Sequence, residues 1–191
     1  MCDLENIVDV IVEIAKGSHI KYEYDKEHNR IICDRVLHTP MKYPFNYGFI
    51  PNTLSEDGDP LDVVILMDDE LVPGCQIKCK ILGYLDTKDD EGNDPKVIAC
   101  PIGKIDPLWK KTNCIYMSRF NIDDHLLNKI KYFFQHYKDL ENKKVQIGEF
   151  YNRESAVSIY KKSIERYNNI YNQKSLQKNK ITNYFTLLYK I

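Results

Sequence analysis

The sequence has no apolar run near the ~20 residues that a membrane-spanning helix needs, so no transmembrane segment and no membrane partner are expected. It has no Cys-x-x-Cys pair. Its six cysteines (Cys2, Cys33, Cys75, Cys79, Cys100 and Cys114) are scattered. Cys75 and Cys79 stand four apart with no second pair to complete a zinc site. Such thiols read as buried groups in a reducing compartment. They suit a cytoplasmic enzyme and exclude a secreted disulfide scaffold. Charge of one sign is also lacking: the formal net charge is −1, so bulk charge points neither to nucleic acid nor to an anionic membrane. The opening Met1-Cys2-Asp3-Leu4-Glu5 lacks the basic start of a signal peptide. Internal repeats and an interdomain linker are absent too. With 191 residues, 43% of them hydrophobic, the chain is expected to form one globular domain with a full core.

What is present is a concentration of carboxylates. In Asp57-Gly58-Asp59-Pro60-Leu61-Asp62, three acids lie within six residues, separated by two turn formers. Val63-Val64-Ile65-Leu66-Met67 follows and reads as a buried strand. Like charges held this close repel, and one should keep its proton more tightly unless a cation lies between them. Hard oxygen donors at this spacing favour Mg²⁺, Mn²⁺ or Ca²⁺ over zinc. The hexapeptide alone reads equally well as an acidic surface turn. It is not an EF-hand: counting from Asp57, Asp62 occupies the position that needs Gly, and Asp68 the one that needs Glu.

The remaining order is mostly β. Ile7 to Ile14 alternates Val8, Val10, Val12 and Ile14 against Asp9 and Glu13, which predicts a first strand. Ile20–Asp25 and Ile31–Val36 form a hairpin around the polar loop 26–30, with Lys21, Glu23 and Arg35 either in cross-strand ion pairs or functional. Met41 to Pro51 has too much Pro and Gly for a helix and is expected to be a long ordered loop anchored by aromatics such as Tyr43 and Tyr47. Gln76 to Leu85 is a strand, Asp86 to Lys96 an exposed acidic hairpin tip, and Val97 to Cys100 a short strand. Gly103 to Asn121 is an irregular connection. A helix capped by Asn121 or Asp123 carries Leu126, Leu127, Ile130, Phe133, Phe134 and Tyr137 on its apolar face. Lys144 to Phe150 is a last strand, and Asn152 caps a second helix through Ala156, Tyr160, Ile164 and Tyr167. Short strands with turn signals and late helices predict a mainly β (α+β) fold: a small, partly closed antiparallel barrel with helices outside.

Taken together, these stretches resemble the soluble inorganic pyrophosphatases of the first family, the Mg²⁺-dependent kind. Asp57-Gly58-Asp59-Pro60-Leu61-Asp62-Val63 is similar to that family's D-x-D-P-x-D-V signature. Lys21-Tyr22-Glu23, Asp34-Arg35 and Tyr43-Pro44-x-Asn46-Tyr47-Gly48-Phe49 resemble its substrate-binding strands and loop. Asp89-Asp90 with Asp94-x-Lys96, then His136-Tyr137-Lys138-Asp139-Leu140-Glu141, follow in the same order. The likeness runs from about Ile7 to about Tyr167, which makes 1–167 the expected pyrophosphatase domain and 168–191 a polar C-terminal extension. Departures are Ala15, where the family often has Pro, a longer stretch before Asn121, and the tail.

The resemblance implies a five-stranded OB-like barrel with flanking helices and hydrolysis of pyrophosphate to two phosphates by metal-activated water. Asp57, Asp62 and Asp94 would hold the tighter metal sites, Asp89 would join Asp94, and Glu13 and Asp90 would act through water. Asp59 would be the general base. Lys21, Arg35, Tyr47, Tyr137 and Lys138 would donate to phosphate, with Lys96 beside them and Glu23 and Tyr43 in support. Several Mg²⁺ ions per site, replaceable by Mn²⁺ or other divalent ions, and a homo-oligomer, hexamer or dimer, are implied as well. The chemistry asks for such a set, because attack on a compact polyanion needs its charge neutralised and its water deprotonated. Two rivals differ in kind. An OB-type module for single-stranded nucleic acid needs a basic groove with stacking aromatics, and this chain supplies acids instead. A catalytically silent relative would have lost a functional residue, and none is lost.

Overall fold

In β1 (Ile7–Ile14), Val8, Val10, Val12 and Ile14 are buried, while Asp9 and Ile11 between them remain partly exposed. An extended chain sends successive side chains to opposite faces, so this alternation gives the strand one inward face. The computed structural model describes residues 6–89, 92–110, 122–141, 143 and 145–188, with side chains described as far as 171 except for Asp89. β2 (Ile20–Asp25) and β3 (Arg30–Val36) pair only with each other, as a two-stranded hairpin. β4 (Asn46–Ile50), β5 (Leu61–Ile65), β6 (Gln76–Asp89) and β8 (Lys96–Pro101) join β1 in the order β1-β4-β5-β8-β6, and β6 pairs back to β1. The ring closes on five strands, as expected, and closure removes the unpaired edges that an open sheet would present. The short β7 (Gly92–Asn93) pairs with the far end of β6, and β9 (Gln146–Asn152) pairs with β6 outside the ring.

Three details depart from the sequence reading. First, β5 and β8 are parallel. β6 runs antiparallel to β8, so β8 returns beside β5 in the same direction. Second, residues 46–50 are a wholly buried strand and not loop. Gly48 makes this possible: a Cβ there would stand 2.0 Å from the Ile11 carbonyl oxygen of β1. The fully buried Asn46 fixes the strand's start. Its Oδ1 accepts from the backbone N–H of Lys16 (3.0 Å) and Leu71 (2.8 Å), and its Nδ2 donates to the Asp69 carbonyl (2.9 Å). Third, β6 runs on to Asp89, past the expected Leu85.

Alternating wall residues fall into two apolar clusters. One joins Val8, Val10, Val12, Val63, Ile65, Ile77, Cys79, Ile81, Val97 and Ala99 to Ala156 of the second helix. The other joins Ile14, Tyr47, Val64, Leu82 and Ile98 to the first helix. That helix, α1 (Asp124–His136), is capped by Asp123, whose carboxylate accepts from the His125 N–H at 3.0 Å. It buries Leu127, Ile130, Phe133 and Phe134, and the two Phe rings pack among Tyr43, Phe45 and Tyr47. α2 (Arg153–Leu188) starts where the Asn152 side chain accepts from the Ser155 N–H at 3.0 Å, and it buries Ala156 and Ser163. It continues without a break past Tyr167, where the sequence reading ended it. Most of the expected irregular connection, 111–121, lies outside the described residues; its start contains a 3-10 turn, Pro107–Trp109. Among the described residues no helix is long and apolar enough to cross a membrane.

Gly48→Ala tests the β1–β4 approach. The added methyl meets backbone, which cannot rotate away, so a loss of at least ~3 kcal/mol in urea unfolding is expected, at the upper end for overpacking.

Candidate active site

Side chains from the barrel, the hairpin and the turn after α1 meet in one cavity of about 240 Å³. The Asp57–Asp62 turn supplies its floor. The Asp57 carboxylate accepts the Asp59 N–H at 2.9 Å, and Gly58 takes the left-handed conformation (φ +92°) that a side chain disfavours. This bend lifts Asp57 and Asp59 beside Asp62, whose neighbours in β5, Leu61 and Val63, face the core. Tyr47 of β4 donates its hydroxyl to Asp62 Oδ2 at 2.6 Å. Lys96, the first residue of β8, donates to the same oxygen at 2.5 Å and also to Asp94 Oδ2. Asp94 is held in turn by its N–H to the Thr87 carbonyl at 2.9 Å. The acidic loop is therefore not simply an exposed tip: Asp94 and Lys96 turn inward from it.

Glu13 enters from β1 and accepts the Tyr24 N–H of the hairpin at 2.9 Å. The hairpin brings Lys21, paired with Glu23 and, at 3.5 Å, with Asp34. It also brings Arg35, whose Nε and Nη2 bind the two oxygens of Glu141 at 3.1 and 2.7 Å. Tyr137 and Lys138 come from the end of α1, and Tyr43 from beneath. Every predicted site residue whose side chain is described lines this one cavity. Asp90 and the side chain of Asp89 lie outside the described residues.

Sequence reasoning passed over three residues. Lys26 read as part of a polar hairpin loop, yet its ammonium binds Asp59 Oδ1 at 2.6 Å and the Gly58 carbonyl at 3.1 Å. Lys143 also lines the cavity. Glu141 fell within a recognised stretch but was given no role. Only the reach of the folded hairpin brings Lys26 to Asp59, and no local spacing signals it.

Burial governs the electrostatics. It pushes Glu13 up to about 8, with nearby Asp62 adding to the effect. It raises Asp57, and it holds Asp94 above the usual carboxylate range while Lys96 pulls the other way. Burial works against the Lys96 charge, but Asp62 and Asp94 outweigh it and hold the ammonium protonated. Tyr43, Tyr47 and Tyr137 are raised by burial and stay as hydroxyl donors. Among the described residues, no three acidic, His or Cys side chains are already drawn into a metal cage. The donor chemistry nevertheless fits a hard divalent cation: Glu13, Asp57, Asp62 and Asp94 offer only carboxylate oxygen, and burial penalises the charge of Glu13, Asp57 and Asp94.

A buried acid with a raised pKa lends stability that is complete below the unfolded value of 4.5 and lost as pH climbs through about 8. With divalent cations chelated, the melting temperature should therefore fall between these limits. Glu13→Gln keeps an oxygen for the Tyr24 N–H and should make that fall shallower. Parallel melting curves for the two proteins would remove Glu13 as its source.

The comparisons with known proteins agree with this geometry. The family model described as inorganic pyrophosphatase matches residues 10–168. The inorganic pyrophosphatase of Helicobacter pylori (strain 26695) is 46% identical over 159 residues, covering 83% of this chain and 90% of that protein. The one from Saccharolobus solfataricus is 48% identical over 160 residues, covering 83% and 91%. Among solved structures, a Helicobacter pylori inorganic pyrophosphatase superposes with a TM-score of 0.81 at 44% identity, covering 88% of this chain and 96% of that one. The Coxiella burnetii enzyme gives 0.80 at 38%, covering 85% and 95%. With the matched segment spanning both the closed barrel and its polar mouth, this chain belongs to the inorganic pyrophosphatase family.

Proposed function

We propose that this chain hydrolyses pyrophosphate to two phosphates in a Mg²⁺-dependent reaction, with Asp59 as general base. The observation that carries the reading is the convergence of Asp57, Asp59, Asp62 and Asp94 with Lys21, Arg35, Tyr137 and Lys138 in one cavity. Acids alone would repel a polyanion, and cations alone would only bind it.

Asp57, Asp62 and Asp94 would hold the tighter metal sites, Asp89 would join Asp94, and Glu13 and Asp90 would act through water. Mg²⁺ bound there supplies neutralisation of phosphate charge and acidification of water. Lys21, Arg35, Tyr137 and Lys138 orient the two phosphate groups and take up charge as it moves to the departing one. Asp59 stands at the open side of the turn, more exposed than Asp62 or Asp94, and within reach of a water entering from solvent. It accepts the proton that this water loses. Lys96 is spent on Asp62 and Asp94, so its contribution is to keep both carboxylates aimed at the cavity. A proficient enzyme lowers its barrier by more than ~8 kcal/mol, which no single contact here can supply.

The family match ends at residue 168, which supports 1–167 as the catalytic unit and 168–191 as an extension. Scattered free thiols, Cys79 and Cys100 fully buried among them, support a reducing, cytoplasmic setting. The exposed Tyr132 ring on α1, tilted against His136, is a surface suited to contact with a second copy, so a homo-oligomer is expected on a sizing column.

Phosphate release from pyrophosphate should require Mg²⁺ and cease on chelation. Asp59→Asn should retain the wild-type circular dichroism spectrum while kcat falls ~100-fold or more, the loss typical of a missing general base. Near-normal turnover in that variant removes Asp59 from the role.

A further inference from the structure

Arg35 is not a loose cation at the cavity's rim. Its guanidinium is held edge-on by Glu141, Nε to Oε1 at 3.1 Å and Nη2 to Oε2 at 2.7 Å, while Nη1 donates to Asp34. The Glu141 side chain is only 6% exposed, against 25% for Arg35. A paired fork of this kind fixes a plane as well as a distance, which a single contact does not. It also spans the fold: Arg35 belongs to the separate hairpin, and Glu141 to the turn Asp139–Glu141 after α1. That turn directly follows Tyr137 and Lys138, which line the same cavity.

Three of the five guanidinium N–H groups are used in these contacts. The other two, one on Nη1 and one on Nη2, are the ones a phosphate can take. Without Glu141 Arg35 keeps its contact with Asp34, which lies on the same hairpin and so does not hold it toward the helical side.

We propose that Glu141 is a positioning residue: it clamps Arg35 so that its remaining N–H groups are presented to the cavity alongside Tyr137 and Lys138. The inference rests on the reading of Arg35 as a phosphate donor. It makes Glu141 a determinant of substrate affinity, acting through Arg35 and not by touching substrate. A carboxylate near an anion site would by itself weaken anion binding, so charge and geometry predict opposite signs on its removal.

The test is steady-state hydrolysis of Mg²⁺-pyrophosphate by the full chain. Glu141→Gln should raise KM ~10-fold, with kcat within ~3-fold, as expected when binding common to ground and transition state is lost. Glu141→Asp, which keeps the charge on a shorter arm, should recover part of that KM. In an Arg35→Lys background Glu141→Gln should add less than ~2-fold, since the two residues act as one unit. An unchanged or lowered KM in an active Glu141→Gln protein overturns the clamp, as does full additivity with Arg35→Lys. If Glu141→Gln does not fold, Glu141→Asp decides alone: a raised KM supports the clamp, a wild-type KM ends it. A wild-type chain that releases no phosphate fails the functional reading instead, so the two failures are distinguishable.

Discussion

The Lys96 ammonium, lodged between Asp62 and Asp94 at the start of β8, is the contact on which the mouth of the barrel depends. Asp62 already takes the Tyr47 hydroxyl, so β4, β5, β8 and the acidic loop are tied at one point by side chains as well as by backbone ladders. Removing Lys96 would leave two carboxylates facing each other with little water, and the cost of an unpaired buried charge exceeds what the pair itself contributes. The same two carboxylates are among those proposed to hold metal ions. Lys96 therefore sets how much further positive charge the site can take up. One fixed cation allows the acids to be folded together, and their remaining unmet charge is what a divalent ion answers.

Closure of the barrel turns this local arrangement into a fixed one. Asp62 faces the cavity because Leu61 and Val63 on either side are buried in the core, and a one-residue slip of β5 would reverse all three. Gly48 lets β4 lie close against β1, which brings Tyr47 to Asp62. Asn46 pins the same strand from its other end. The polar site is thus a by-product of where apolar residues must go.

Much of this was legible in the sequence, for reasons that differ by element. The period of two in β1 and the stripe along α1 are direct consequences of burial, and both stand where that pattern puts them. The Asp57–Asp62 turn was legible because its Gly and Pro are needed for the bend itself. Strand β4 was not: its Gly48 and the flanking Pro44 and Pro51 imitate a loop, and only the tertiary approach of Ile11 explains Gly48. The inward turn of Asp94 was legible only through the family resemblance, since an acidic loop has the same composition whether its last residues face solvent or a buried lysine. Lys26 and Glu141 act across 33 and 106 residues of chain, a range at which spacing carries no signal.

The site divides its charges between two kinds of scaffold, and the division has a physical cause. The acids Glu13, Asp57, Asp62 and Asp94 are on the barrel or in the loops it anchors. Lys21 and Arg35 are on a hairpin outside the ring, and Tyr137 and Lys138 follow a helix end. Crowded carboxylates push one another apart, so they must be mounted on elements stiff enough to resist, and a closed barrel is such an element. The cations face no such conflict. Lys21 has Glu23 and Asp34, and Arg35 has Glu141 and Asp34, so each can be carried on a lighter unit and still be aimed. A polyanion arriving between the two scaffolds, as proposed, would be met by preset acids on one side and by cations on a hairpin on the other. Ties among the described residues include the Tyr24 N–H on Glu13, the Tyr24 ring against Phe49, Lys26 on Asp59 and Arg35 on Glu141. Each joins the hairpin to a residue of the site or to the wall beside it, so any movement of the hairpin is felt first at the groups proposed to do the chemistry.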